Sequence, residues 1–362
     1  MRITIDATSA LLRSAGVKSY TYHWVRHLRE NAGSDEIRAF PYLNDFGRLD
    51  HQASTLARWQ TIPRLALLYL VRDSTFLDWV VGDADIFHAS NQIRRAPHSQ
   101  QGRVKLTATI HDLTCWLMPE VHTEGNIRAD QNFAHRILKR ADGLIAVSEN
   151  TRQDAIRLLS IAPDKIETIY SGIAEEYFDA KPSKRPKPYV LCVGTIEPRK
   201  NLETLLDAWS ALSAEFRDAF DLVIAGPEGW GSDQTMARIR SGAATYLGYV
   251  PEADLPSLTA GATVFAYPSL YEGFGFPVAQ AMAAGVAVLT SNNSSLREIG
   301  RDGALLVDPK SASEITGGLT RLLESESLRS EVAARGRERA NQFRWETCAA
   351  QSLKFFRRIH GS

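Results

Sequence analysis

Cysteine is scarce in this chain of 362 residues: Cys115, Cys192 and Cys348 are widely separated and odd in number. That excludes a disulfide framework and a Cys-x-x-Cys metal site, and a reducing compartment is expected. Net charge is missing too, with 42 basic residues against 42 acidic and no block of one sign. No nucleic-acid partner is expected, because gripping a phosphate backbone draws on clustered Lys and Arg. Long apolar runs are absent. The nearest, Ile62–Val81, is broken by Arg64, Arg72, Asp73 and Asp78 and is too polar to span a bilayer. No charged leader, apolar core and cleavage site precede the strand-like opening Met1–Asp6, so a cytoplasmic protein is expected.

What is present is alternation. Short β-rich runs (Ile3–Asp6, Ile86–His88, Leu106–His111, Leu144–Val147, Ile166–Ile169) are separated by helical patterns, which implies parallel sheets covered by helices. In Gly16–Arg29, Val17, Tyr20, Thr21, Trp24 and Leu28 share one helical face. Ser148 is placed to cap a helix. The pattern breaks at Ala180–Pro188, with three prolines and no apolar periodicity, and restarts at Tyr189–Val193, Leu222–Ala225, Val264–Ala266, Ala287–Thr290 and Ala304–Val307. Ser311 with Glu314 reads as a capping box. The division expected is an N-terminal domain over 1–173, a linker over 174–188, a C-terminal domain over 189–342 and a terminal helix over 343–362.

The stretch 268–285, Pro-Ser-Leu-Tyr-Glu-Gly-Phe-Gly-Phe-Pro-Val-Ala-Gln-Ala-Met-Ala-Ala-Gly, concentrates the chemistry. Glu272 is a negative acceptor opening a glycine-punctuated turn, and Pro277 suits the first turn of a helix. Free N–H groups at such a helix start receive anions, and carboxylates accept hydroxyls strongly. A polyhydroxylated sugar on a diphosphate would use all of these. A second segment, Val193-Gly-Thr-Ile-Glu-Pro-Arg-Lys-Asn201, puts Arg199 and Lys200 together at a strand-to-helix turn, where phosphate is well received.

With Arg2–Tyr20, Thr107–Glu120, Leu144–Gly172 and Gly248–Pro309, these segments resemble the family 4 retaining glycosyltransferases, in which two glutamates flank seven residues. The resemblance implies an α/β protein of the GT-B fold, with two Rossmann-like domains whose parallel sheets face each other across a cleft. It implies that Glu272 holds a hydroxyl of the transferred sugar, assisted by the backbone N–H groups of Phe274 and Gly275. Arg199 and Lys200 would carry the donor diphosphate, and Gly16 in Ala15–Tyr20 would lie over it. Lys18 stands where relatives have a second glycine, and Thr195 where many have an arginine. His111, ending a strand, would contact outer hydroxyls of the donor sugar, with Asp112 a lesser candidate. Gln280 takes the second glutamate's position, which contacts the nucleoside ribose. A carboxamide offers one oxygen acceptor and no charge there, so donor affinity is the expected casualty.

The expected activity is retaining, metal-independent transfer of a hexose, with mannose from GDP-mannose one candidate donor. The acceptor would be a glycan or lipid-linked molecule in surface polysaccharide synthesis. The nucleotide sugar is substrate, so no cofactor is expected. The departures at Gln280, Thr195 and Lys18 leave a non-catalytic GT-B binding protein as the alternative. Asp83-Ala84-Asp85 imitates a metal-binding triplet but reads as a turn. His23 and His27, four residues apart, lack a third ligand and are expected to face solvent or the acceptor. Trp59–Val81 reads as a buried helix, with peripheral contact to the inner membrane face as its alternative. The terminal helix, with Trp345, Leu353 and Phe356 on its apolar side, is expected to return to the first domain.

Overall fold

A computed structural model describes residues 1–11, 15–40, 78, 81, 83–90 and 104–362. The stretch 59–81 read above as a buried or interfacial helix lies almost wholly outside the described residues. The chain divides into two compact units, one of Met1–Gly172 with Trp345–Ser362, the other of Ile173–Arg344. Among the described residues each is a six-stranded, wholly parallel sheet covered by helices. Parallel strands are buried on both faces, so runs such as VLC and VFA need no polar alternation.

In the first unit the order is β2-β1-β3-β4-β5-β6. These strands are β1 (Arg2–Asp6), β2 (Glu36–Phe40), β3 (Ile86–Ala89), β4 (Lys105–Ile110), β5 (Gly143–Ala146) and β6 (Ile166–Thr168). Helix α1 (Ala15–Asn31) buries Tyr20, Thr21, Trp24, Val25 and Leu28. Lys18 and His23 are buried with them, so of the two expectations for His23, solvent or the acceptor, the first is corrected: its ring stacks on Trp345 at 5.7 Å. Ser148 caps α2 (Glu149–Leu159) by accepting from the Thr151 N–H at 3.0 Å.

The last helix, α3 (Trp345–His360), packs in this unit against α1. Phe355, Phe356 and Ile359 are buried, and Trp24 Nε1 donates to Ser352 Oγ at 3.0 Å. Its seat is cut to fit: a Cβ on Gly143 would stand 2.6 Å from Ile359 Cδ1, and one on Gly172 would enter the Trp345 ring. Arg357 pairs with Asp35, which also holds the N-terminal ammonium at 2.8 Å.

In the second unit the order is β12-β11-β10-β7-β8-β9. Here β7 is Tyr189–Val193, β8 Asp221–Ala225, β9 Thr245–Gly248, β10 Val264–Tyr267, β11 Ala287–Ser291 and β12 Leu305–Val307. Residues 174–188, expected as a linker, lie within this unit, where Tyr177 and Phe178 are buried and Ser183 N–H donates to Ser257 O at 2.9 Å. Ser311 caps the helix Ala312–Glu324, but Glu314 Oε2 receives the Asp308 N–H rather than closing the box on Ser311.

Open parallel sheets bind ligands outside the carboxyl ends of their strands, at the point where strand order reverses. That point falls between β1 and β3 in the first unit and between β7 and β10 in the second. The two strands missing from the sequence reading, β2 and β9, are both sheet edges.

Candidate active site

At the switch point of the second unit, the loops leaving β7 and β10 run side by side and bring Arg199, Lys200 and Glu272 together. Glu272 Oε1 receives Lys200 Nζ at 2.6 Å, Ser269 Oγ at 2.8 Å and Tyr267 Oη at 2.9 Å. Its Oε2 receives Arg199 Nη1 at 2.7 Å. Lys200 Nζ also donates to Tyr267 Oη at 2.8 Å. Arg199 Nη2 reaches Glu197 Oε1 at 2.6 Å, and Glu197 is itself buried.

Two carboxylates thus balance two cations in a shielded cluster, the arrangement that makes buried charge tolerable. Burial alone would raise the Glu272 carboxyl, but Arg199 and Lys200 overcome it and lower the group to about 2. Glu272 is therefore ionised at any physiological pH. Burial and the Glu272 charge raise Tyr267, which stays a hydrogen-bond donor.

Downstream of Glu272, Gly275 holds φ at 94° as the N-cap of α4 (Phe276–Ala283), with Pro277 in the first turn. A left-handed φ of that size is strained in any residue with a side chain. A Cβ there would also meet Leu296 Cδ2 at 2.6 Å. Phe274 is buried, its ring edge-on to Phe276 and Phe343 at 5.1 and 5.5 Å. Its side chain is packing, and only its main chain is available for the role expected of it. Gln280 is half-buried on α4, in the second turn after the N-cap.

The other expected residues belong to the first unit. His111 follows β4 and is half-buried. Its Nε2 lies 2.8 Å from Ser90 O, which can only accept, so Nε2 carries the proton. Burial lowers its pKa, so the ring is neutral with its lone pair on Nδ1. The Tyr20 ring meets it edge-on at 4.8 Å. Asp112 is occupied locally, accepting from the N–H and Oγ1 of Thr114 at 3.0 and 2.7 Å.

Gly16 is exposed in the first turn of α1, and a Cβ there would meet none of the described residues within 4 Å. Asp83 and Asp85 are both engaged by arginines. Asp83 pairs with Arg2 and Arg38, and Asp85 accepts the Arg2 N–H. Among the described residues no group of His, Cys, Asp and Glu is arranged to hold a metal ion.

Sequence reasoning missed Asp6 at the first unit's switch point. It is fully buried: Oδ1 accepts from the Thr8 N–H at 3.1 Å, and Oδ2 has no hydrogen-bond partner among the described residues. Burial raises its carboxyl to about 7. Ser90 Oγ donates to the Asp6 carbonyl, tying the end of β1 to the peptide that receives His111. The only signal in the sequence is an acidic residue ending a hydrophobic strand. Glu197, Tyr267 and Ser269 were missed in the second unit, although each lies within five residues of one that was named.

Comparison with known proteins places this geometry in context. The family described as Glycosyltransferase Family 4 matches residues 14–177, and that described as Glycosyl transferases group 1 matches residues 174–339. The O-antigen chain mannosyltransferase B of Escherichia coli is 31% identical over 94% of this chain and 96% of its own length. Among solved structures, a sucrose-phosphate synthase from Thermosynechococcus elongatus superposes with a TM-score of 0.75, covering 100% of this chain and 99% of its own at 21% identity. The Anabaena protein HepE, solved with UDP and glucose, gives 0.71 over 98% of each chain at 17% identity. The fold shared with these structures is GT-B.

Proposed function

We propose the reaction from one premise, that the chain belongs to the family 4 glycosyltransferases and is a glycosyltransferase. The reaction is transfer of a hexose, with retention, from a nucleotide-diphosphate sugar to a glycan or lipid-linked acceptor. Mannose from GDP-mannose is the donor we favour, because the O-antigen mannosyltransferase of Escherichia coli matches along nearly its whole length. The observation that carries the proposal is the buried cluster of Arg199 and Lys200 on Glu272 at the switch point of the second unit.

In this reading Arg199 and Lys200 take the donor diphosphate, with the N-terminal N–H groups of α4 behind it. Glu272, permanently ionised, accepts from a sugar hydroxyl, assisted by the main-chain N–H groups of Phe274 and Gly275. The bond from the anomeric carbon to the phosphate oxygen breaks, and the acceptor oxygen bonds to that carbon on the same face. The acceptor's proton passes to the leaving diphosphate. The protein then acts by positioning and by stabilising charge on that diphosphate. No step asks for a metal or cofactor. Gln280 would meet the ribose, and Gly16 would border the diphosphate. Neutral His111 would accept a hydroxyl hydrogen bond at Nδ1. No helix among the described residues is long and apolar enough to cross a membrane, and a lipid-linked acceptor would be met at a surface.

The test is a panel of UDP-, GDP- and ADP-hexoses offered to purified protein with acceptor-bearing lipid extract. Transfer and slow hydrolysis confined to one donor are expected, with a thermal shift from that donor's nucleotide diphosphate. Binding without turnover for every donor would sink the reading.

A further inference from the structure

Glu272 sits on a segment whose carbonyls are held by side chains. Six successive carbonyls, from Tyr267 to Glu272, each accept from a different residue. In order, the donors are Thr290 Oγ1 at 2.8 Å, Asn201 Nδ2 at 2.9 Å, Ser291 Oγ at 2.6 Å, Asn293 Nδ2 at 3.0 Å, Arg199 Nη1 at 2.9 Å and Ser295 Oγ at 2.8 Å. The Glu272 N–H is taken as well, by Ser294 Oγ at 3.2 Å. Strand order explains the pattern. β10 lies between β7 and β11, so the loop after β10 is flanked by the loops that follow its two neighbours. Four of the six donors and the one acceptor come from Thr290–Ser295.

Within that stretch Ser294 holds φ at 47°, in the left-handed region that non-glycine residues seldom enter. In this conformation successive hydroxyls grip both ends of one residue, Ser294 at the N–H of Glu272 and Ser295 at its carbonyl. Strain of this kind persists where surrounding bonds fix it, and it concentrates at functional sites.

The need for such a hold follows from the charges. In this structure both cations assigned to the diphosphate are spent on Glu272. Were they its only anchors, a diphosphate drawing them away would release the carboxylate just when a sugar hydroxyl requires it. The bonds from Thr290–Ser295 are uncharged and are made to the main chain, so a phosphate does not compete for them.

We propose that Thr290–Ser295 is a positioning cradle that keeps Glu272 in register while Arg199 and Lys200 turn to the donor. The proposal rests on the family reading of Glu272 given above. Its residues position another group and need not touch substrate.

The variants are Ser294→Gly and Ser295→Ala. Glycine adopts φ 47° without strain, so Ser294→Gly should melt at or above the wild-type temperature. Its kcat should nonetheless fall about tenfold or more, with donor KM within about threefold, since a small misplacement of a catalytic group is costly. The Glu272 amide should exchange its hydrogen faster. Ser295→Ala, in the first turn of a helix that tolerates alanine, should lower kcat in the same way. Stability and activity moving apart is what a merely structural serine would not produce. Wild-type kcat in both variants, or activity that simply follows melting temperature, overturns the proposal. If the wild-type protein transfers no hexose from any donor, the functional reading fails alone. Amide exchange then decides whether the cradle holds Glu272: faster exchange in Ser294→Gly upholds it, and unchanged exchange removes it.

Discussion

Asp6 and Glu272 are both buried carboxyls just beyond a parallel sheet's switch point, one in each unit, and their environments push them in opposite directions. Among the described residues Asp6 has a single neighbouring donor residue, Thr8, and it rises to about 7. Glu272 has Arg199, Lys200, Tyr267 and Ser269, and falls to about 2. Burial acts alike on both, so the difference is the work of the partners. Whether a buried acid is a fixed charge or a titrating group is decided by the loop opposite it.

The largest expected effect comes from removing the charge that two cations share. Glu272→Gln removes the carboxylate that Arg199 and Lys200 share, and breaking such a pair typically costs about 3–5 kcal/mol. Calorimetry should show the second unit's transition lowered, and transfer should fall by about a hundredfold or more. Because the folded-state pKa of Glu272 lies below its unfolded value of 4.5, its contribution is present above pH 4.5. It is lost as pH falls through about 2. The gap between wild type and Glu272→Gln should therefore close at the acid end.

Asp6→Asn should act with the opposite sign on the first unit. A carboxyl raised from 3.8 to about 7 costs the folded state nothing below pH 3.8, and progressively more as pH climbs through 7. The variant should be more stable than wild type at pH 8 by up to about 4 kcal/mol, at about 1.36 kcal/mol per pKa unit, and match it at pH 4. A melt that does not change with pH between 4 and 8 in the wild type would erase the contrast. A smaller effect is expected of Tyr267→Phe, which takes one donor from Glu272 and should cost about 1–2 kcal/mol. It should move the acid limb of the second unit to higher pH, bringing Glu272 a step toward the behaviour of Asp6. Gln280→Glu should strengthen nucleoside-diphosphate binding about tenfold if Gln280 meets the ribose, with both carboxyl windows unchanged.

The central strands and the edges β6 and β12 were legible because apolar runs bounded by turn residues carry their own signal, and Arg199, Lys200 and Glu272 because they stand beside glycines and prolines. β2 and β9 escaped because charges at Glu36 and Arg38 interrupt the one and no residue of the other is fully buried. Residues 174–188 read as a linker because prolines break periodicity, although Tyr177 and Phe178 are buried. His23 looked solvated because nothing local shows that Trp345 covers it, more than 300 positions away. Thr290–Ser295 was unreadable for a related reason: bonds from side chains to a main chain about 20 residues earlier leave no periodicity. Asp6 was missed because an unsatisfied oxygen is a property of packing.

The return of α3 to the first unit has a consequence for biosynthesis. Ile173 N–H donates to Phe343 O at 2.8 Å, so the second unit is closed at its own ends and is complete in sequence once Arg344 is made. The first unit waits for Phe355, Phe356 and Ile359, which emerge only after the whole of the second unit. Domains fold as units during synthesis, generally N-terminal first. Here the order inverts, and the unit begun before the other finishes its core after it.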